Sequence, residues 1–208
     1  KYANEGGVYL QLDQTLNERI SFNVGLRYSI FDYVGEGTAY TFDNRGEILT
    51  EEVFEEGESI QLYQGLEPRF SMKYQLDENK SVKASYNRSY QYLHLLTNST
   101  TSTPTDVWVP SSNNVKPQIA DQVSLGYFQN FLDNTYEFSV ETYYKNLQNQ
   151  IDYRTGADLF VNNTIESELV FGKGHAYGVE LFLRKQKGPV TGWVSYTLSR
   201  TLREFDEI

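Results

Sequence analysis

There is no cysteine anywhere in the chain, so neither a disulfide framework nor a thiolate metal site can be built from it. No stretch of eighteen or more apolar residues occurs either, which excludes a transmembrane helix. A membrane is not thereby excluded, because a transmembrane strand needs only every second residue to be apolar. Basic residues are in deficit, 18 Lys and Arg against 28 Asp and Glu for a net charge of -10, and a phosphate backbone needs the opposite sign; no nucleic-acid partner is expected. Catalytic signatures are missing as well. There is no Gly-x-Ser-x-Gly and no His-Glu-x-x-His, and Gly172-Lys173-Gly174 runs into a strand, so it offers a phosphate no helix amides. No catalytic residue and no cofactor is expected. The chain opens at Lys1 without a secretory leader, which reads as a mature product or as a piece of something longer.

What the sequence does have is aromatic side chains and period-two alternation. It carries 17 Tyr and 12 Phe among 208 residues, the supply that two interfacial aromatic girdles would need. From Tyr177 to Leu202, Tyr177, Val179, Leu181 and Leu183 share one face of a first arm, against Gly178, Glu180, Phe182 and Arg184 on the other. A second arm sets Val194, Tyr196 and Leu198 against Ser195, Thr197 and Ser199, with Gly188-Pro189 and Gly192 between the arms. Such alternation belongs to a half-buried strand and not to an amphipathic helix. The pattern recurs eight times. It is cleanest from Ile20 to Ile30 and shortest at Val8, Leu10 and Leu12, and Pro68 reads as a strand start or a bulge because it has no N–H to donate.

The connections are asymmetric. Tight turns near Asn17, Asn79, Asp133 and Gly188 alternate with long loops over 34–58, 93–117 and 154–173. All short turns then fall at one end of the strands and all long loops at the other. A turn spacing of roughly 55 to 60 residues leaves strands of about 12 to 16 residues, beyond the ~9–11 needed to cross hydrocarbon. The expected fold is all-β, an antiparallel up-and-down meander of about eight strands from a larger transmembrane barrel. Two other architectures share the alternation: a complete eight-stranded barrel acting as an adhesin, and a soluble carbohydrate-binding sandwich. In the barrel register Glu67, Arg69, Glu137, Glu141, Glu180 and Arg184 face the lumen, while Arg88 and Arg200 fall on the lipid side. Arg88 lies about 18 Å above the turn at Lys80, so it must snorkel or be turned by a bulge near Asn87.

Few residues suggest chemistry. His94 and His175 are too far apart in sequence to suggest a metal pair. Glu180 with Glu141 or Glu137 has the composition of a glycosidase carboxylate pair, though alternating lumen positions explain it as well. The loop from Val34 to Glu58 holds eight carboxylates against Arg45 alone, -7 of the net -10; Glu51, Glu52, Glu55 and Glu56 are its candidate metal ligands, for calcium, and attraction of a cationic ligand is the other functional reading, against that of a solvated loop. Trp108, with Asp106 beside it in a Ser/Thr/Asn-rich loop, is a candidate sugar or peptide platform. Glu180 and Arg184 are the candidate ligand contacts in the lumen.

Four stretches resemble the barrel domain of TonB-dependent outer-membrane receptors: LEPRFSMKYQLDENKSVKASYNRSYQYLHLL from Leu66, PTDVWVPSSNNVKPQIADQVSLGYFQNF from Pro104, YEFSVETYYKNLQNQIDY from Tyr136 and GVELFLRKQKGPVTGWVSYTLSRTLREFDEI from Gly178. The resemblance implies a barrel of about 22 strands closed by a plug domain, a place in the outer membrane of a Gram-negative bacterium, and energised uptake of a scarce nutrient such as a siderophore, oligosaccharide or peptide. It also implies the TonB complex acting through the plug, membrane lipid around the wall and a surface lipoprotein as partners. No plug, TonB-binding segment or terminal aromatic is recognised in residues 1–208, so these residues are expected to be an internal portion of such a barrel.

Overall fold

The structure, a computed structural model, describes residues 1–43, 45–96, 107–157 and 164–205. Eight long strands form one antiparallel sheet: β1 (Tyr2–Thr15), β2 (Ile20–Val34), β5 (Ser59–Asp77), β6 (Lys80–Gln91), β9 (Gln118–Phe131), β10 (Tyr136–Tyr153), β11 (Leu169–Lys185) and β12 (Gly192–Phe205). Each pairs with the next in the chain, in the order β1-β2-β5-β6-β9-β10-β11-β12, and among the described residues no ladder joins β1 to β12. Greek-key crossovers are absent from this order, so the sandwich reading falls.

Register makes the two faces continuous. Directly paired residues share a face, and the ladders align Phe22, Met72, Ala84, Leu125, Thr142, Val179 and Leu198 in one row. One residue further up, the row reads Asp13, Asn23, Ser71, Ser85, Ser124, Tyr143, Gly178 and Ser199. The apolar rows have no protein against them: Leu26 is 48% and Leu198 65% exposed. The polar face is the hollow one, with a concavity of about 550 Å³ whose lining includes Asp13, Asn23, Lys73, Lys83 and Glu141.

Turn chemistry explains the closed end. Asn17 Oδ1 accepts from the N–H groups of Arg19 and Ile20, both at 2.9 Å, and Asp77 Oδ1 accepts from the Asn79 N–H at 2.9 Å, so polar side chains satisfy the turn donors. Leu132, Asp133 and Asn134 all take left-handed φ values of 50°, 53° and 58°, a conformation Asp and Asn tolerate better than Leu.

Two expectations need correction, the long connections carry elements that the pattern left unassigned, and one of the two alternatives for Arg88 falls. β1 is not short: Asn4-Glu5-Gly6-Gly7 looks unlike a strand, yet its backbone pairs in register as far as Tyr2↔Val34. The long loops are structured, since the first folds as a hairpin of β3 (Gly37–Phe42) and β4 (Ile48–Phe54), the second contains a hairpin of β7 (Leu93–Leu96) and β8 (Val107–Pro110), and a 3-10 turn at Ile165–Glu168 precedes β11. Pro68 neither starts a strand nor sits in a bulge of the β2 ladder; it is mid-strand opposite Leu26. The β5–β6 ladder ends one residue before it, at Arg69↔Asn87, where its missing N–H has no bond to make. Arg88 is not turned by a bulge, because the β6–β9 register runs unbroken through Arg88↔Asp121.

The only cluster of fully buried apolar side chains among the described residues lies at the loop end, where Leu96, Val109, Val115, Ile151 and Leu169 meet. The middle of the wall is a single layer with no core of its own.

Candidate functional site

The polar face is charged in an ordered way. In one row Lys73 and Lys83 stand on β5 and β6, Gly126 on β9, and Glu141 and Glu180 on β10 and β11, so cations occupy one half and carboxylates the other. Lys83 Nζ lies 4.1 Å from the centre of the Phe128 ring, a cation–π contact. Nearer the turns, Arg184 Nη1 sits 4.0 Å from Glu137 Oε2. Higher up, Glu67 is only 3% exposed; Arg27 Nε and Arg69 Nη2 each lie 3.8 Å from its oxygens, and Arg27 Nη2 reaches Glu5 at 3.7 Å. A carboxylate this buried is held by the two guanidiniums around it. The register places Glu67, Arg69, Lys73, Glu137, Glu141, Glu180 and Arg184 on one face of one sheet.

On the opposite face Arg88 meets Asp121 directly across the ladder, Nε to Oδ1 at 2.7 Å and Nη2 to Oδ2 at 2.9 Å. Tyr86 donates its hydroxyl to the same Oδ1 at 2.7 Å. The bidentate geometry neutralises an otherwise exposed charge on the apolar wall. His175 is stacked between Tyr144 and Tyr177, both at 6.2 Å; it is part of this wall and is not joined to His94.

At the loop end the second loop turns across the polar face. Tyr92 stacks on Phe31 at 5.0 Å and its hydroxyl meets Ser29 Oγ at 2.8 Å, and Tyr63 donates to the Ser112 carbonyl at 2.7 Å. Ser112 Oγ in turn accepts from the N–H groups of Asn114 and Val115, both at 3.2 Å. Three loops are tied together here. Asn113 and Asn114 donate through Nδ2 to the Tyr40 carbonyl of β3 at 2.7 and 2.9 Å, Asn114 Nδ2 also reaches Glu166 Oε2 at 2.6 Å, and Arg154 Nη1 reaches the Arg45 carbonyl at 2.5 Å. Between them lies a polar hollow of about 360 Å³ whose lining includes Phe42, Asp43, Asn113, Asn114, Arg154 and Glu166, with Phe171 from β11. The Asp43 carboxyl accepts from the N–H of Glu47 at 2.9 Å and of Arg45 at 2.8 Å, and these bonds hold its pKa below the ordinary carboxylate value.

The remaining sequence candidates scatter. Trp108 is 61% exposed on the outer side of the β7–β8 hairpin, paired with Leu95. The other side of that hairpin buries His94, Leu96 and Val109. Asp106 lies outside the described residues. Glu180 is eleven residues down β11 from Leu169, about 35 Å along the strand, so neither it nor Arg184 shares a site with Trp108. Glu51 and Glu52 pair with Tyr40 and Ala39 and project from opposite faces of β4, while Glu55 and Glu56 are exposed beyond its end. Among the described residues no group of three or more His, Cys, Asp or Glu is gathered for a metal ion.

The three-loop hollow went unread in the sequence. Its one local signal was Ser111-Ser112-Asn113-Asn114, a run of side chains that bond to nearby backbone; the partners Tyr40 and Glu166 are more than fifty residues away in either direction.

A one-layer wall with charge on its hollow face, apolar side chains on the other, tight turns at one end and long loops at the other is the wall of an outer-membrane β-barrel. A family model described as TonB dependent receptor-like, beta-barrel matches residues 2–207, and the chain belongs to this family, whose members are transporters, not enzymes, of the Gram-negative outer membrane. No curated protein matches it. Among solved structures it is similar to the FrpB iron transporter of Neisseria meningitidis (F3-3 variant; 16% identity, TM-score 0.64, 98% of this chain and 26% of that one). Similar too are the alcaligin receptor FauA of Bordetella pertussis (18%, 0.59, 99% and 32%) and FpvA of Pseudomonas aeruginosa bound to pyoverdine (14%, 0.60, 97% and 25%). The chain thus spans a quarter to a third of these proteins, and at such identities the likeness is one of fold.

Proposed function

We propose that residues 1–208 are about eight strands of a TonB-dependent transporter that takes up a scarce organic nutrient across the outer membrane. The observation that carries this reading is the inward turn of the second loop, which ties three loops into one polar hollow above a charged wall. In the assembled barrel the long loops face the medium, the tight turns face the periplasm, and the charged face lines the lumen against a plug. The TonB complex acts through that plug, membrane lipid covers the apolar rows, and the exposed Trp108 side of the β7–β8 hairpin is open to a surface lipoprotein. Iron complexes, oligosaccharides and peptides are the substrate classes to compare. The test is uptake of candidate solutes by cells carrying the full-length protein, with and without a working TonB complex. Uptake that disappears with TonB is the expected result; uptake indifferent to TonB would overturn the proposal.

A further inference from the structure

We propose that the hollow between the three loops binds an organic cation, a primary amine or guanidinium carried by the imported solute; this deepens the transport reading and rests on it. Asp43, Glu166, Asn113 and Asn114 bring acceptor oxygens to the hollow, against the donors of Arg154 and Ser167. Asp43 is held ionised by the backbone N–H groups of Glu47 and Arg45, and Glu166 contributes a second carboxylate. The amide nitrogens of Asn113 and Asn114 are turned onto the Tyr40 carbonyl and Glu166, which leaves their Oδ1 atoms to offer. Among the described residues Arg154 is the only cation in the lining, and one arm of it is committed to the Arg45 carbonyl. A ligand rich in donors fits such a lining, whereas an anion would face two carboxylates.

Two further features point the same way. Phe42 and Phe171 stand among the lining residues, Phe171 being 39% exposed, and an ammonium close to a ring is stabilised by the ring quadrupole. The β3–β4 hairpin, which contributes Phe42, lies in the segment that carries -7 of the chain's charge, with Glu47, Glu51 and Glu52 exposed along it. Its field raises the local concentration of cations at the mouth and steers them in, an effect that salt weakens. One hydrogen-bonded assembly thus provides both attraction over distance and acceptors at contact.

The chemistry could arrive on a basic peptide or on an amino sugar. The full-length protein in lipid nanodiscs is titrated with dye-labelled trilysine and with a glucosamine trimer, each beside its N-acetylated counterpart. At least one amine probe should bind ten-fold or more tighter than its acetylated form, and whichever does identifies the source. Asp43→Asn and Glu166→Gln, isosteric changes that keep an acceptor oxygen, should each weaken it about ten-fold, while Asp133→Asn in a tight turn should not. Raising salt from about 0.05 to about 0.5 M should weaken binding to the unaltered protein, a reading independent of any variant. Equal binding of amine and acetylated probes, or no binding of either amine probe, would overturn the cation site. TonB-dependent uptake measured on the same cells judges the transport reading separately, since it can persist when the site assignment fails.

Discussion

Removing Asp121 should strand a guanidinium in hydrocarbon, and the cost can be worked from its place on the wall. Arg88 is eight residues above Lys80 on β6, about 18 Å up at ~2.3 Å of height per residue for a tilted strand. In an apolar band ~25 Å tall that is some 6 Å above the midplane, where an unpaired Arg costs less than the ~2–4 kcal/mol of the centre and more than the ~0–1 of the edge. Breaking the bidentate pair therefore costs about 2 kcal/mol in Asp121→Leu. Arg88→Leu should cost less, about 1 kcal/mol, because the Asp121 carboxylate keeps the Tyr86 hydroxyl at 2.7 Å and can relieve its charge by taking a proton. The double variant leaves a plain apolar row and should lie close to the unaltered protein, since replacing an ion pair with well-placed apolar groups is often neutral. The double-mutant cycle then shows a coupling of about 2–3 kcal/mol. It is read from urea-dependent folding of the full-length protein into phospholipid vesicles. Strictly additive losses, or a coupling under about 0.5 kcal/mol, would mean that both side chains sit in water and that the apolar face does not meet lipid at this height.

Leu26→Arg should cost about 2–4 kcal/mol in the same assay and Asn23→Arg close to nothing, because Asn23 is on the polar face hydrogen-bonded to Asp13; equal costs would refute the face assignment. A glutamate-specific protease added to whole cells should cut the exposed β3–β4 segment at Glu51 to Glu56 and spare Glu78 in the Asp77–Lys80 turn, and the reverse would invert the topology. His94 is 1% exposed, and burial pushes its pKa from 6.5 down to about 4. The unfolded hairpin binds the proton more readily, so stability of the β7–β8 fold is full above pH ~6.5 and falls by up to about 3 kcal/mol as pH drops toward 4. In the full-length protein the 19F signal of 5-fluorotryptophan at position 108, assigned by its loss in Trp108→Phe, should report the transition, and His94→Gln should abolish its pH dependence; a profile unchanged by that substitution would remove His94 from the cause.

The wall was legible because its information is local. Alternation at Ile20–Ile30 or Tyr177–Leu183 names a strand and its two faces without reference to any other residue, and Asn17, Asp77 and Asn79 carry their turns in their own side chains. What failed was what depends on a neighbour. β1 is extended through Gly6 and Gly7 because β2 offers it a ladder, and Arg88 stays on its parity because Asp121 happens to lie opposite. The hollow at the loop end is the extreme case: Tyr40, Asn114 and Glu166 come from three loops, and no spacing in the chain announces that they meet. Glu180 and Arg184 were correctly set on the charged face by parity, but parity says nothing of height, and so could not show how far they lie from Trp108.

The early end of the β5–β6 ladder gives the wall a mechanical seam. Above Arg69↔Asn87 the strands β1, β2 and β5 stay bonded to one another as far as Val34↔Ser59, and β6 stays bonded to β9 as far as Gln91↔Gln118, with no rung between the two groups. The upper wall is two panels hinged at the row of Arg69 and Asn87. What spans them is made of side chains: Tyr92 on Ser29, Tyr63 on the Ser112 carbonyl, and the asparagines and Arg154 on the backbone of the β3–β4 loop. The loop end is therefore held across the seam by separate side-chain bonds, while the strands below the hinge keep a continuous backbone register.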